Sequence, residues 1–393
     1  MKLMRVEAAR AAMLAEVATL GLETLPLAQA MGRVLGEDVA AVRDQPPFTN
    51  SAMDGWALQA SERPQALKIV GESAAGHGFE GELQAGQAVR IFTGAALPAG
   101  ADTVVIQEDA TRDGTRLSVP GSSPGDNIRR AGKDFRAGDV LLTAGTRIDP
   151  WRLSLAASAG RAELAVGAKP RVAILSTGEE IVEAPARPGL FQIYDSGSPA
   201  LKAMVEDWGG VATKRSGIRD RLDAVVAAMR DADCDLIVTL GGASVGDHDL
   251  VRTAALELGL RYCVESVAVR PGKPTFFGVL ADGRRLLGLP GNPASAFVCA
   301  ELFLSPLIAA YCGTIAEPVM HQAPTAVDIP ANGLREHWMR AKIGLDGRVT
   351  PYGDQDSSLV SVFAGADALL RRRAGVAAAS AGEKVDILRL VRG

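Results

Sequence analysis

Residues 235–259 read DLIVTLGGASVGDHDLVRTAALELG. The first six residues are an apolar, β-branched run, which favours a strand. A glycine-rich turn follows. The last eleven residues carry apolar side chains at helical spacing, with Asp249 placed where a helix cap belongs. A strand, a glycine-rich turn and a helix together make the first half of a βαβ unit.

The same rhythm extends outward over residues 170–311. RVAIL, ATKRSG and LLGLP read as further strands, and PALKAMVEDWGG, RLDAVVAAMRD and PASAFVCAELF read as helices. Such alternation predicts a doubly wound parallel α/β sheet. Upstream, residues 1–40 read as helical and break at Asp44-Gln45-Pro46-Pro47. Between 60 and 148, runs such as LKIV, AVRIFT, DTVVIQ and DVLLTAG alternate with turn residues, the texture of a compact β-rich unit. A helix is expected over 149–160, with Asp149 as N-cap and Pro150 at its first position. After Pro318 helices stop, and the tail reads as a small β domain.

Composition narrows the function. The chain has 393 residues, 47% hydrophobic and 22% charged, enough for two to four domains with a substantial core. A net charge of −4 argues against a dedicated nucleic-acid binder. Four cysteines without a CxxC pair suggest neither a zinc knuckle nor a disulfide framework, and fit a reducing compartment. Glu7 and Glu16 interrupt what a signal peptide would keep apolar, so the expected location is the cytoplasm. The most apolar stretch, AFVCAELFLSPLIAAYC, contains Glu301 and Pro306 and reads as a buried helix rather than a membrane span.

Polar loops fall where the strands end: STGEE (176–180), GGASVGDHD (241–249) and GLPGNP (288–293), with DSGSP (195–199) opening a helix. Ligands of open parallel sheets bind outside the carboxyl ends of the strands. Glycine-rich turns at helix N-termini favour anions there. One such loop is ordinary turn chemistry; four point to a phosphate-bearing ligand. RPGKP adds Arg270 and Lys273, suited to phosphate or another oxyanion. Glu179, Glu180, Asp195, Asp220, Asp247 and Asp249 lie on these loops, either as helix caps or as holders of a divalent cation such as Mg²⁺ that bridges phosphates. There is no GxxxxGK[ST]. Residues 242–246 match GxSxG, but a hydrolase triad needs a later acid and histidine. Of His77, His248, His321 and His337, the last two lie in the β-rich tail. Ser244 therefore reads as a turn or ligand-contact residue.

SAMDGWA, IFTGAALPAGADTVV, DNIRRAGKDF, LSTGEEI, IYDSGSP, GGASVGDHD, RPGKP and GLPGNPASA occur in that order. Together they closely resemble the molybdopterin molybdotransferases, the bacterial relatives of the gephyrin E domain, along the whole chain. The resemblance implies four parts: a discontinuous helical and extended domain (1–45 and 136–168), an inserted β-rich domain (46–135), a molybdopterin-binding α/β domain (169–313) and a C-terminal β domain (314–393). It implies a homodimer whose cleft joins the α/β domain of one subunit to the β domain of the other. The implied catalytic residues are Asp54, Thr93, Asp134, Glu180, Asp220 and Asp249, with Asp220, Asp249 and Glu180 holding Mg²⁺.

Substrate contacts are expected from Ser176, Thr177, Gly178, Asp195, Gly241, Gly242, Ser244, Gly246, Pro290, Gly291, Asn292 and Pro293. Arg270, Lys273, Arg340 and Ser357 would hold molybdate, with Ser358 the alternative to Ser357. The chain departs from the family pattern at Arg270, where lysine is usual, and in DQDSS, which lacks the usual glycine after glutamine. The implied reaction inserts molybdenum from molybdate into adenylylated molybdopterin and releases AMP. Expected partners are a second copy of the chain, the small-molecule pterin and molybdate, and the adenylyltransferase acting just before; neither nucleic acid nor membrane is expected. The rival readings are the adenylyltransferase itself, whose activity resembles the α/β domain alone, and a non-catalytic pterin-binding scaffold.

Overall fold

Four parallel strands form the centre of the α/β region: β1 (Arg171–Thr177), β2 (Val211–Ile218), β3 (Leu236–Leu240) and, after two further strands of the same sheet, β6 (Arg285–Leu289). The intervening β4 (Arg261–Val264) and β5 (Phe276–Val279) run antiparallel at one edge, giving the order 2-1-3-6-5-4. The apolar runs become strands because both faces are covered. Val172, Ile174, Val238 and Leu287 face one core with helix α1 (Gly197–Asp207), and Ala173, Leu175, Ile237 and Leu286 face another with α2 (Leu222–Arg230) and α3 (Leu250–Glu257). The doubly wound arrangement is thus as the sequence predicts, apart from the antiparallel edge. The computed structural model describes residues 3–241, 249–315 and 317–390.

The chain divides into two compact units, each described by itself. The larger contains 1–23, 32–36 and 165–393. Its helix α4 (Pro293–Cys299) continues through a π-helical stretch, Ala300–Leu304, into Ser305–Tyr311. Pro293–Tyr311 is long and apolar enough to cross a membrane, yet it is mostly buried against the sheet, as a core helix should be. Within it Glu301 is largely buried, and burial, with Asp207 nearby, pushes its carboxyl up to about 7. The same unit carries a C-terminal sheet ordered Val269–Arg270, Glu336–Ile343, Ala368–Arg372, Lys384–Arg389 and Met320–Pro324. Its first strand belongs to the RPGKP turn and pairs with Glu336–His337, so the turn is built into the C-terminal sheet.

The smaller unit contains 24–31 and 37–164. Its six-stranded sheet is ordered Thr103–Ile106, Gly55–Leu58, Gln87–Ile91, Gln65–Ser73, Arg116–Val119 and Thr111–Asp113. Trp56 and Leu58 face one core, Ala57 the other. Helix Pro150–Ser158 starts as expected, with the Asp149 side chain accepting from Arg152 N.

Two sequence readings are corrected. Residues 1–40 are not one helical stretch: the helix spans Val6–Leu14, and strand Leu22–Pro26 follows Gly21, whose φ of +99° is incompatible with helix. The tail is not free of helix either. Val360–Gly365 forms a short one, whose Phe363 packs edge-on against Phe297 of α4, ring centroids 5.3 Å apart.

Candidate functional site

At the carboxyl ends of β1, β3 and β6 lies an open cleft of about 940 Å³. In the order 2-1-3 the chain crosses between β1 and β3, the switch point where ligands of such sheets bind. Ser176 and Thr177 enter it at the end of β1 and Gly178 just after, Gly241 after β3, and Pro290, Gly291, Asn292 and Pro293 after β6. The loops pass so closely that a Cβ on Gly291 would lie 3.3 Å from the Cα of Gly241, and one on Gly241 would lie 3.0 Å from the Thr177 carbonyl oxygen. Gly241 also has φ +92°, so glycine is required there twice over.

The acids on these loops separate into two kinds. Glu180 and Asp220 are exposed and line the cleft. Asp220 does not cap α2, whose N-cap is Arg221; it accepts one long bond, from Glu179 N at 3.4 Å. Asp195 and Asp249 are engaged internally. Asp195 lines the cleft but accepts from Gly197 N (3.1 Å), Ser198 N (2.9 Å) and Ser216 Oγ (2.5 Å). Asp249 caps α3 by accepting from Arg252 N at 2.9 Å, and its other oxygen lies 2.8 Å from Arg252 Nε. That contact is an ion pair. Burial pushes the Asp249 carboxyl up from the usual range against the opposing pull of Arg252. Among the described residues no three acid, histidine or cysteine ligands converge.

The C-terminal loop closes one side of the cleft. Asn292 donates to Ser357 Oγ at 2.7 Å, while Ser358 lines the cleft and donates to Asp356 at 2.6 Å. Arg340 is fully buried and donates to the Asp356 carbonyl at 2.8 Å. Its Nε and Nη1 have no hydrogen-bond partner, and burial lowers its pKa. Arg270 and Lys273 are exposed and, with Arg340, do not line the cleft. Arg270 nevertheless pairs in register with His337, three residues from Arg340. Burial first, then the charges of Arg270, Arg340 and Arg335, holds the His337 imidazole down at about 4. Asp354 and Asp356 set negative charge against the Arg340 guanidinium, whose two free donors remain available to an anion. His337 has no role in the sequence reading, since nothing in the pattern distinguishes it from a core residue. Gly242, Ser244 and Gly246 lie outside the described residues.

In the smaller unit, the expected residues Asp54 and Thr93 meet although 39 positions apart: Thr93 N donates to Asp54 Oδ1 at 2.7 Å and Thr93 Oγ1 at 2.8 Å. These two bonds, with Arg90, hold the Asp54 carboxyl below its usual range. Asp134 is exposed, on the loop of Arg129, Arg130, Lys133 and Arg136.

With its α/β domain, a cleft at the strand ends and a following β domain that lends the cleft a wall, the chain matches three family models. They are "MoeA N-terminal region (domain I and II)" over 4–160, "Probable molybdopterin binding domain" over 173–310 and "MoeA C-terminal region (domain IV)" over 322–390. A relative named molybdopterin molybdenumtransferase from a Nostoc strain is 35% identical over 82% of this chain and 77% of its own. Molybdopterin molybdenumtransferase 2 of Mycobacterium tuberculosis is 36% identical over 93% and 94%. The crystal structure of the molybdopterin biosynthesis moeA protein from Pyrococcus horikoshii OT3 superposes with a TM-score of 0.87 at 27% identity, covering 99% and 100%. The chain belongs to the molybdopterin molybdenumtransferase family.

Proposed function

We propose that this enzyme transfers molybdenum from molybdate into adenylylated molybdopterin and releases AMP, acting as a homodimer in the cytoplasm. The observation that carries the reading is the strand-end cleft, where phosphate-favouring turns meet two carboxylates left open. Family membership supports it over the adenylyltransferase and scaffold readings.

The backbone N–H groups at the turns after β1 and β6 bind the phosphates of the substrate. Mg²⁺ suits Asp220 and Glu180, because it takes one or two carboxylates and completes its shell with phosphate oxygens and water. When bound, it neutralises the phosphates and the leaving AMP. Asp249 is a third holder, on condition that its carboxylate turns from Arg252. Arg340 offers its free Nε and Nη1 to molybdate on condition that the Asp356 loop covering it moves aside, Arg270 and Lys273 add charge, and Ser357 or Ser358 adds a hydroxyl. The two dithiolene thiols replace one oxygen of molybdate, which leaves with their protons as water, and a water molecule splits the phosphoanhydride to release AMP. Asp54 and Thr93, hydrogen-bonded to each other, and Asp134 are assigned to the reaction on the family resemblance. Catalysis is by positioning and charge stabilisation, with no covalent nucleophile.

Lys273→Gln tests the oxyanion assignment. Lys273 is exposed, so the fold should be untouched. Losing one charge-assisted contact, worth roughly 1.5–3 kcal/mol, should raise the molybdate concentration for half-maximal AMP release about ten- to hundredfold. Binding of the adenylylated pterin should hardly change. An unchanged molybdate dependence would remove Lys273 from the site.

A further inference from the structure

One wall of the cleft is apolar without being core. Ile193 and Tyr194 line the cavity, yet are 60% and 51% exposed. Leu190 and Phe191 continue the same surface outward at 90% and 86%. Four large apolar side chains within five residues remain in water, which a folded chain seldom tolerates without a ligand or partner to cover them. Their position is fixed by the backbone rather than by packing. Ile193 N donates to the Glu180 carbonyl at 2.7 Å, Asp195 N to the Val182 carbonyl at 2.8 Å, and the Gln192 side chain to the Glu179 carbonyl at 3.0 Å. Ile181–Val182 and Ile193–Tyr194 pair in parallel. The strap is therefore tied to the segment that carries Glu180, and its apolar face meets the cleft where the phosphate-favouring turns converge.

We propose that Ile193 and Tyr194 form a stacking platform for a planar, nitrogen-rich bicyclic ring of the substrate, so that this strap reads the ring while the turns hold the phosphates. The inference rests on the function proposed above and adds a specificity-determining residue to it. An aromatic ring held by its backbone loses little entropy on stacking, and stacking tolerates any flat heterocycle. Two rings of the substrate qualify, the adenine and the pterin. A cavity of about 940 Å³ accommodates either with its phosphates.

The test compares wild type, Tyr194→Ala and Tyr194→Phe by calorimetric binding of AMP, free molybdopterin and ribose 5-phosphate. Tyr194→Ala should weaken one ringed ligand about ten- to hundredfold, the range for losing a base-stacking aromatic. Tyr194→Phe should restore it, and ribose 5-phosphate, which has no flat ring, should bind all three proteins alike. Weakened AMP assigns the platform to adenine; weakened molybdopterin with unchanged AMP assigns it to pterin. The proposal is overturned if Tyr194→Ala binds both ringed ligands as wild type does, which would leave the strap as a protein-docking surface, or if ribose 5-phosphate weakens equally. If wild type binds neither AMP nor molybdopterin, the functional reading fails first, and the platform with it.

Discussion

Asp220→Ala is expected to slow molybdate-dependent AMP release by about a hundredfold or more, the usual cost of removing one electrostatic stabiliser from an active site. Its thermal melt should match wild type. The side chain is exposed, caps no helix and has one long hydrogen bond to lose. Asp249→Ala should behave differently although it sits on a neighbouring strand-end loop. It removes the cap of α3 and leaves Arg252 without its carboxylate, at a combined cost of about 2 kcal/mol. The cost is moderated because Arg252 keeps its bonds to the carbonyls of Glu265 and Pro274 and its place 4.2 Å from the Phe276 ring centre. Asp249→Ala should therefore lose stability as well as rate, Asp220→Ala rate alone. Paired melts and turnover measurements decide. An Asp220→Ala enzyme at wild-type speed would take this carboxylate out of the reaction.

The second large effect is expected at a residue that does not line the cleft. Glu301 is raised to about 7 by burial and by Asp207. A carboxyl whose folded pKa exceeds its unfolded value binds more protons when folded, so stability falls as pH rises through that window. Here the window runs from about 4.5 to about 7, and the full cost is present above it. Glu301→Gln removes the charge and should stabilise the protein, with a gain about 2 kcal/mol greater at pH 8 than at pH 5.5. Melting both proteins at the two pH values measures this. An equal shift at both would mean that Glu301 is not titrating in the folded chain.

Much of the α/β domain was legible because its strands and helices each obey a simple period. RVAIL and DLIVTL are apolar throughout since both sheet faces are covered, and the turns between carry the glycines that close approach requires. Asp149 and Pro150 announce their helix in two residues. What stayed hidden depends on long-range contacts. Val269–Arg270 is too short to read as a strand, yet its pairing with Glu336–His337 builds the basic turn into the C-terminal sheet. The pairing of Asp54 with Thr93 follows from a fold that local pattern cannot supply; only resemblance flagged the two residues. Val360–Gly365 is helical because Phe363 finds Phe297, again a tertiary cause. The Asp249–Arg252 pair, at i and i+3 across a helix start, could have been anticipated, and it would have separated the capping acid from the open one.

The decisive measurement is AMP release by the purified protein from adenylylated molybdopterin with Mg²⁺, with and without molybdate. The proposed function predicts release that requires molybdate and yields molybdenum-loaded pterin in equal amount. Release equally fast without molybdate, or synthesis of the adenylylated pterin from ATP in its place, would contradict it.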